Sequence, residues 1–379
     1  MLYATPALEA ADEKVLAEIE EMRRDVKYRL AEPHRWDGLL RRQLQARAIQ
    51  GSASIEGYHA SVEDIESIMS GEDPLEAPAA VAREIAGYRQ ALTYIGALAW
   101  ASAFRYDAGL LHALNFMMIG HHVNATPGTV RPGGIYVRDS ATGEVVYEGP
   151  DHEQVSGLLA ELVDWLNEGD LGAPSHVRAA MAHLNLVGIH PWRDGNGRMS
   201  RVLQTLVLGR DQIATPEFSS IEEWLGTGET TLEYYRALRT VQKGRWSPHG
   251  DTLSWVRFVL RCHHMQAQRV GRRLTEAGEV WLLLEDRTAA QGLHPRTVSA
   301  LYQVFVSRRL RRGMYQADEG LSQGQAARDL RELAATGWLQ PYGETKGRFY
   351  APGPKMTEIK AAFAERAAPL RDPYRGLEG

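Results

Sequence analysis

Residues 190–201 contain side chains suited to chemistry on phosphate groups. His190 precedes Pro191, which should end a helix and leave the imidazole at its tip, facing a cleft. Because an imidazole titrates near neutral pH, His190 is the natural candidate for a general base. Asp194 lies at the mouth of the glycine-containing loop that follows, where its carboxylate could hold Mg²⁺ bridging phosphate oxygens.

The same stretch predicts a surface that binds phosphate. Gly195, Asn196 and Gly197 tolerate positive φ, so their backbone N–H groups can converge into an anion-binding nest. The nest opens into a helix whose N-terminus also favours phosphate. Arg198 and Arg201 share a face of that helix and can both reach one polyphosphate. Separately these pieces are typical of a helix end and a turn, but together they predict a site for nucleotidyl or phosphoryl transfer.

The stretch resembles the signature of the Fic-domain family, H-x-F-x-D/E-G-N-G-R-x-x-R. Every fixed position matches except one, where Trp192 replaces Phe and should serve as the same apolar anchor. The layout of hairpin and helices is similar to the family over roughly residues 30–270. The resemblance implies a protein adenylyltransferase that transfers AMP from ATP to a Tyr, Ser or Thr hydroxyl of a target protein, with Mg²⁺ as cofactor.

By motif position, the resemblance implies a role for each residue of the stretch. His190 would deprotonate the target hydroxyl, Asp194 would hold Mg²⁺, and Arg201 would take the γ-phosphate. The α- and β-phosphates would be held by Gly195, Asn196, Gly197 and Arg198. Two further nucleotide-binding candidates, Tyr234 and Tyr235, match a Tyr-Tyr pair common in the family, although they could also be ordinary helix aromatics with one in the core.

A β-hairpin at 133–147 has the place of the family's flap, which lines up a target segment by main-chain pairing. Its target-docking residues would be Gly134, Ile135, Tyr136 and Val137. The alternative is an ordinary surface hairpin.

Residues 52–57 resemble the family's inhibitory motif, S/T-x-x-x-E-G/N, through Ser52, Glu56 and Gly57. Gly57 suits the position just after a helix, so Glu56 would lie in the last turn, where the helix dipole disfavours a carboxylate without a cation. The resemblance implies that this cation is Arg201 and that the pair inhibits the enzyme by occupying the γ-phosphate's arginine. A plain helix terminus with a solvated glutamate is the alternative.

The periodicity around these motifs predicts a mainly α fold: a Fic-type helical core with a β-hairpin flap, plus a C-terminal winged helix-turn-helix domain. We expect an N-terminal helical region at 1–100, with the inhibitory helix near 40–57, and the catalytic core at 101–275. The winged helix would occupy 290–355 and a tail 356–379. Its helices are predicted at 294–309 and 322–336, and its strands at 337–341 and 347–350.

The predicted winged helix is basic within an acidic chain. Between residues 296 and 350 nine Arg and Lys stand against five acids, so the segment carries +4 and the rest of the chain −9. Lys346 and Arg348 in the wing and the run at 308–312 are compatible with DNA phosphate contacts. Asp329 and Glu332, on the would-be recognition helix, favour a protein or intramolecular contact instead, and the sequence leaves both open.

The amino-acid composition excludes several kinds of site and indicates where the protein acts. The chain has 379 residues, a formal charge of −5 and one cysteine, Cys262, which excludes an intrachain disulfide and a cysteine-rich zinc site. The pairs His121-His122 and His263-His264 predict poor zinc sites, because neighbours on a helix do not share a face. The start lacks a signal-peptide pattern and no apolar run approaches ~18 residues, so we expect a cytoplasmic protein with no membrane partner.

Two alternatives to AMP transfer stay open. The same site could transfer another phosphate-containing group, such as UMP or phosphocholine, act as a kinase, or remove AMP. Alternatively, the chain is a DNA-binding regulator whose nucleotide site only senses ATP. The oligomeric state, a homodimer included, is also left open.

Overall fold

The computed structural model describes residues 1–139, 142–344, 347–366 and 368–375. Part of the predicted hairpin turn, Lys346 of the predicted wing and the end of the predicted tail therefore lie outside the described residues. The described chain is mainly helical with two short antiparallel hairpins, which confirms the prediction of a mainly α fold.

The helices and strands up to the end of the catalytic motif surround two central helices. They are α1 (Ala10–Arg29), α2 (Asp37–Ile55), α3 (Val62–Met69), α4 (Ala79–Leu98), α5 (Ala108–Ile119), β1 (Tyr136–Arg138), β2 (Val145–Glu148), α6 (His152–Glu168), α7 (Ser175–Ile189) and α8 (Asn196–Gly209). The central pair, α7 and α8, is buried along almost its whole length. Because α4, α5 and α6 pack against this pair through apolar side chains, the loop between α7 and α8 is fixed from several sides.

The remaining elements form the second half of the molecule. They are α9 (Pro216–Ser219), α10 (Glu222–Leu225), α11 (Gly228–Gln242), α12 (Leu253–Ala289), α13 (Thr297–Ser307), α14 (Arg312–Asp318), α15 (Gln323–Ala335), β3 (Leu339–Tyr342), β4 (Phe349–Pro352) and α16 (Pro354–Glu365). We call residues 297–352 the C-terminal module. Strand β3 pairs with β4 from Leu339 opposite Pro352 to Tyr342 opposite Phe349.

Helix α2 belongs to two cores at once. Leu40 and Leu44, in its first half, pack into the apolar core of the C-terminal module. Ala46 and Ile49, in its second half, pack into the core around α7 and α8. One helix that ends at Glu56 therefore connects the module to the region of the catalytic motif.

The structure contains elements that the sequence patterns missed. Helix α1 lies within the predicted N-terminal helical region, but α5, α9, α10 and α14 were not predicted. Helix α16 occupies the start of the region expected to be a tail, with Met356 fully buried. Helix α12 continues to Ala289, past the predicted end of the catalytic core at 275. Within the described ranges, no helix combines the length and apolar character that would be needed to cross a membrane.

Candidate active site

His190 closes α7 in a left-handed conformation, with φ 53° and ψ 57°. Its ring Nδ1 lies 3.0 Å from the carbonyl oxygen of Val187. Because a carbonyl only accepts, Nδ1 carries the proton and Nε2 is left with a free lone pair. Burial, aided by nearby Arg131, lowers the pKa of His190 to about 4, so the ring is neutral at pH 7.

Side chains of the loop itself fix its shape. Trp192 is fully buried, which matches the anchor role expected of it. Its backbone N–H donates to Asn196 Oδ1 at 3.1 Å, and Asn196 Nδ2 donates back to the Trp192 carbonyl at 2.8 Å. The Asn196 side chain is therefore occupied within the loop, and it is the backbone N–H of Asn196 that can face a ligand.

Gly195 and Gly197 give the start of α8 its form. Gly195 lies just before the first helical residue and has φ 80°. A residue with a side chain would adopt this backbone conformation only with strain. A Cβ placed on Gly197 would lie 2.8 Å from Glu56 Oε1 and 3.4 Å from Arg201 Nη1. The Glu56 carboxylate thus lies against the first turn of α8, where outward-facing N–H groups favour an anion.

Arg201 is buried and contacts the end of α2. Its Nη2 lies 2.7 Å from Glu56 Oε1, and its Nε donates to Ser52 Oγ at 2.9 Å. Within the described chain, Arg201 Nη1 has no hydrogen-bond partner. Burial alone would lower the pKa of Arg201, but the carboxylate of Glu56 outweighs it and raises the pKa above its usual value.

The end of α2 has a cap that presents Glu56. Gly57 has φ 81°, and its N–H donates to the Ser54 carbonyl at 3.1 Å. The N–H of Tyr58 donates to the Ala53 carbonyl at 2.9 Å. These two bonds form a Schellman motif, with Glu56 as the last residue before the left-handed glycine.

Arg198, in the first turn of α8, reaches to α4. Its Nη1 lies 2.5 Å from Glu84 Oε2, and both side chains are almost fully buried. The guanidinium expected on the phosphates is therefore paired with a residue of α4. Glu84 was missed because nothing in its sequence neighbourhood distinguishes it from other helix glutamates.

The two tyrosines predicted to bind nucleotide differ. Tyr234 is 2% exposed, and its hydroxyl lies 3.0 Å from His183 Nε2, in the position of a core aromatic. Tyr235 is 40% exposed and donates its hydroxyl proton to the carbonyl of Ile55 at 3.1 Å. Tyr235 thus contacts the end of α2 next to Glu56.

The predicted flap is present as β1 and β2, with a bulge between Val137 and Arg138. Val137 borders the same cavity as His190, whereas Tyr136 is mostly exposed. Gly134 and Ile135 precede β1, and the Ile135 carbonyl accepts from the N–H of Gly149 at 3.1 Å. Only part of the predicted docking segment is therefore strand.

Arg131, which the sequence analysis missed, attaches the base of the flap to the catalytic loop. Its Nε donates to the His190 carbonyl at 2.9 Å, and its Nη2 donates to the Pro150 carbonyl at 2.5 Å. Arg131 is 2% exposed, so this buried guanidinium binds backbone carbonyl groups inside the protein. The position of His190 depends on it.

A single cavity of about 590 Å³ brings most of the predicted residues together. Its lining includes His190, Asp194, Arg201, Glu56 and the turn at 195–197. It also includes strand residues of the flap and both tyrosines. A base, an exposed carboxylate, a helix N-terminus and an arginine therefore face one space large enough for a nucleotide.

Several known proteins are similar to this chain in amino-acid sequence. Residues 106–208 match the model of the Fic/DOC family. "Protein adenylyltransferase fic-1" of Caenorhabditis briggsae is 33% identical over 162 residues, which cover 41% of this chain and 28% of that relative. "Protein adenylyltransferase Fic" of Culex quinquefasciatus is 32% identical over 239 residues, covering 62% and 43%. The chain thus spans less than half the length of these curated relatives.

Solved structures share the fold. A Fic family protein from Desulfovibrio desulfuricans G20 superposes with a TM-score of 0.58 at 21% identity, covering 92% of this chain and 98% of that one. Fic-1 of Caenorhabditis elegans gives 0.55 at 23% identity, covering 71% and 74%. The motif thus lies in its expected loop, residues 106–208 match the Fic/DOC family model, and the fold around them is similar to that of solved Fic proteins.

Proposed function

We propose that this protein is an adenylyltransferase that transfers AMP from ATP to a Tyr, Ser or Thr hydroxyl of a target protein in the cytoplasm. The observation that carries the proposal is the unprotonated Nε2 of His190 in the same cavity as the N-terminus of α8. The names of the curated relatives support AMP as the transferred group.

In the proposed reaction, His190 Nε2 takes the proton of the target hydroxyl as its oxygen attacks the α-phosphorus of ATP. A bond forms between that oxygen and the α-phosphorus, the bond from the α-phosphorus to the bridging oxygen breaks, and pyrophosphate leaves. Backbone N–H groups at 195–197 hold phosphate oxygens through the reaction. The flap strands orient the target segment beside His190.

Asp194 fits the role of magnesium ligand. Its carboxylate is 41% exposed and borders the cavity, and carboxylate oxygens are the ligands that Mg²⁺ prefers. Bound Mg²⁺ would neutralise charge on the phosphates. Asp194 Oδ1 also accepts the N–H of Gly195 at 2.5 Å, which fixes the carboxylate relative to α8.

We also propose that Glu56 inhibits the enzyme. Its contact with Arg201 occupies the arginine expected to bind the γ-phosphate, and its oxygen lies against the turn at Gly197. A γ-phosphate there would meet both negative charge and filled space. ATP would then bind only in an unproductive position until the end of α2 moves.

The C-terminal module is proposed to act within the chain rather than on DNA. Part of its basic run is already paired, since Arg309 lies 2.8 Å from Glu76 and Arg311 3.0 Å from Glu72. Asp329 is bonded to Arg296 and is therefore no surface acid. The favoured role is to support α2, whose first half packs into the module's core.

The test of the proposed reaction uses purified full-length protein with Mg²⁺ and ATP labelled at either the α- or the γ-phosphate, in the presence of cell lysate. Glu56→Gly should incorporate protein-bound α-label at least 10-fold faster than wild type, since Arg201 is released. His190→Ala in that background should lose about 100- to 10,000-fold, the usual contribution of a general base.

Matched controls are available for both changes. Glu168→Gly removes an exposed glutamate from the last turn of another helix, and His152→Ala removes an exposed imidazole. Neither should alter labelling. Label from the γ-position alone would indicate a kinase-like orientation, and no label from either would overturn AMP transfer and leave another donor or the DNA-binding regulator to test.

A further inference from the structure

The structure brings three metal-ligating side chains together next to the catalytic loop. Glu84 lies on α4, while His121 and His122 follow the end of α5. His121 Nε2 lies 2.7 Å and His122 Nε2 2.5 Å from the same oxygen, Glu84 Oε1. All three donor atoms lie within 4.8 Å of one another.

The sequence analysis predicted a poor zinc site here on the assumption that the two histidines lie on a helix. Helix α5 ends at Ile119 and Gly120, so the two residues lie in a turn rather than on a helix. The N–H of His122 donates to the Ile119 carbonyl at 2.8 Å, which fixes that turn. Their rings cross at 87° with centroids 4.3 Å apart and can therefore reach a common point.

Close packing of two helices builds the cradle. A Cβ on Gly87, one turn after Glu84, would lie 2.3 Å from the Met118 carbonyl oxygen. Because glycine has no side chain, α4 and the end of α5 approach closely at this point. The approach places the buried Glu84 carboxylate directly against both imidazoles.

We propose that Glu84, His121 and His122 bind a divalent transition-metal ion of the zinc class. Two imidazoles and one carboxylate, with an open fourth position, are a common zinc ligand set. A tetrahedral site with bonds of about 2.1 Å needs donors roughly 3.4 Å apart, so each imidazole nitrogen must move less than about 1 Å away from Glu84 Oε1. This site goes beyond the proposed AMP transfer and is distinct from the magnesium expected at Asp194.

Asp194 provides an outer partner for one of the two histidines. His122 Nδ1 lies 3.3 Å from Asp194 Oδ2, so both nitrogens of His122 face carboxylate oxygens. With a metal on Nε2, a neutral ring donates from Nδ1 to Asp194, which is the usual carboxylate–histidine–metal arrangement.

The other oxygen of Glu84 connects the site to α8. Glu84 Oε2 lies 2.5 Å from Arg198 Nη1, so the carboxylate can serve the metal and the arginine with different oxygens. The metal would then hold Arg198 on one side and Asp194 on the other. Its role would be to position the two residues beside the nucleotide cavity.

The test titrates Zn²⁺ into chelator-stripped full-length protein, against a chromophoric chelator and without ATP or Mg²⁺. Wild type should bind one equivalent. His121→Ala and His122→Ala should each lose more than the roughly 10- to 100-fold in affinity that removal of an outer partner costs. Asp194→Asn should stay within that range, and His34→Ala, which removes an imidazole facing Asp37, should change nothing.

Unchanged binding in both histidine variants, or no equivalent bound by wild type, would overturn the site. Circular dichroism of each metal-free variant separates lost binding from lost folding. X-ray absorption of zinc-loaded wild type needs no variant at all. Two imidazole ligands in the spectrum would support the proposal, and the absence of imidazole ligands would contradict it. Either result is independent of the outcome of the AMP-transfer assay.

Discussion

Two arginines of helix α8 each pair with a glutamate from another helix, and the two pairs differ in how far their side chains are exposed. In the pair of Glu84 with Arg198, the carboxylate is 4% and the guanidinium 3% exposed. In the pair of Glu56 with Arg201, the guanidinium is 1% exposed but the carboxylate is 30% exposed. The first glutamate lies inside a helix, whereas the second lies at a helix end capped by Gly57.

The difference indicates which arginine can change partner. Separating Glu84 from Arg198 would leave a buried charge uncompensated, which is costly. Glu56 borders the cavity, so solvent or a phosphate can replace it when the end of α2 moves. A buried pair is suited to fix α8, and a pair with one exposed partner is suited to regulation.

The largest expected effect comes from removing the buried glutamate. Glu84→Ala should lower the free energy of unfolding by about 3–5 kcal/mol, the usual cost of leaving one charge of a buried pair alone. Glu56→Ala should cost only about 1 kcal/mol, because truncating this partly exposed side chain opens Arg201 to the solvent in the cavity. Urea denaturation in the presence of EDTA measures both, and equal losses would remove the distinction between the pairs.

A smaller effect tests the contact of Glu56 with α8. In wild type, the new methyl group of Gly197→Ala would lie 2.8 Å from Glu56 Oε1. Because Glu56→Gly removes that neighbour, the substitution should cost less stability in the Glu56→Gly background. We expect a coupling energy of about 1 kcal/mol in a double-mutant cycle by chemical denaturation. Additive effects, within about 0.5 kcal/mol, would mean that Glu56 does not lie against α8.

Sequence patterns predict these pairs unequally. Gly57 indicates where α2 ends, and the resemblance to the family's inhibitory motif implied Arg201 as the partner of Glu56. Glu84 lies 114 residues from Arg198, and no spacing rule connects residues on helices that meet only after folding. Gly120 was the one local signal that α5 ends before His121 and His122, and it was missed.

In the C-terminal module, the sequence likewise could not show which charged residues form pairs after folding. Counting charges gave a basic segment, but the count could not indicate that Arg309 and Arg311 pair with Glu76 and Glu72. Local signals fared better, since Ser322 caps α15 through a capping box with Gln325. Helix α16 was missed although Met356, Ile359 and Phe363 recur at helical spacing and pack against the same apolar core.

The smallest expected effect is a rate that hardly changes with pH. Burial lowers the pKa of His190 to about 4 and Arg131 acts in the same direction, while Glu56 acts against them. In Glu56→Gly the pKa should therefore fall further, and Nε2 should stay unprotonated from pH 8 to pH 5.5. We therefore expect the titration of His190 to change kcat/KM for AMP transfer by this variant less than about twofold over that pH range, at constant ionic strength. An imidazole with its ordinary pKa would instead lose about tenfold between pH 7.5 and 5.5, so such a loss would show that water reaches His190 once Glu56 is gone. That outcome would mean that Glu56 closes the cavity over the base as well as occupying Arg201.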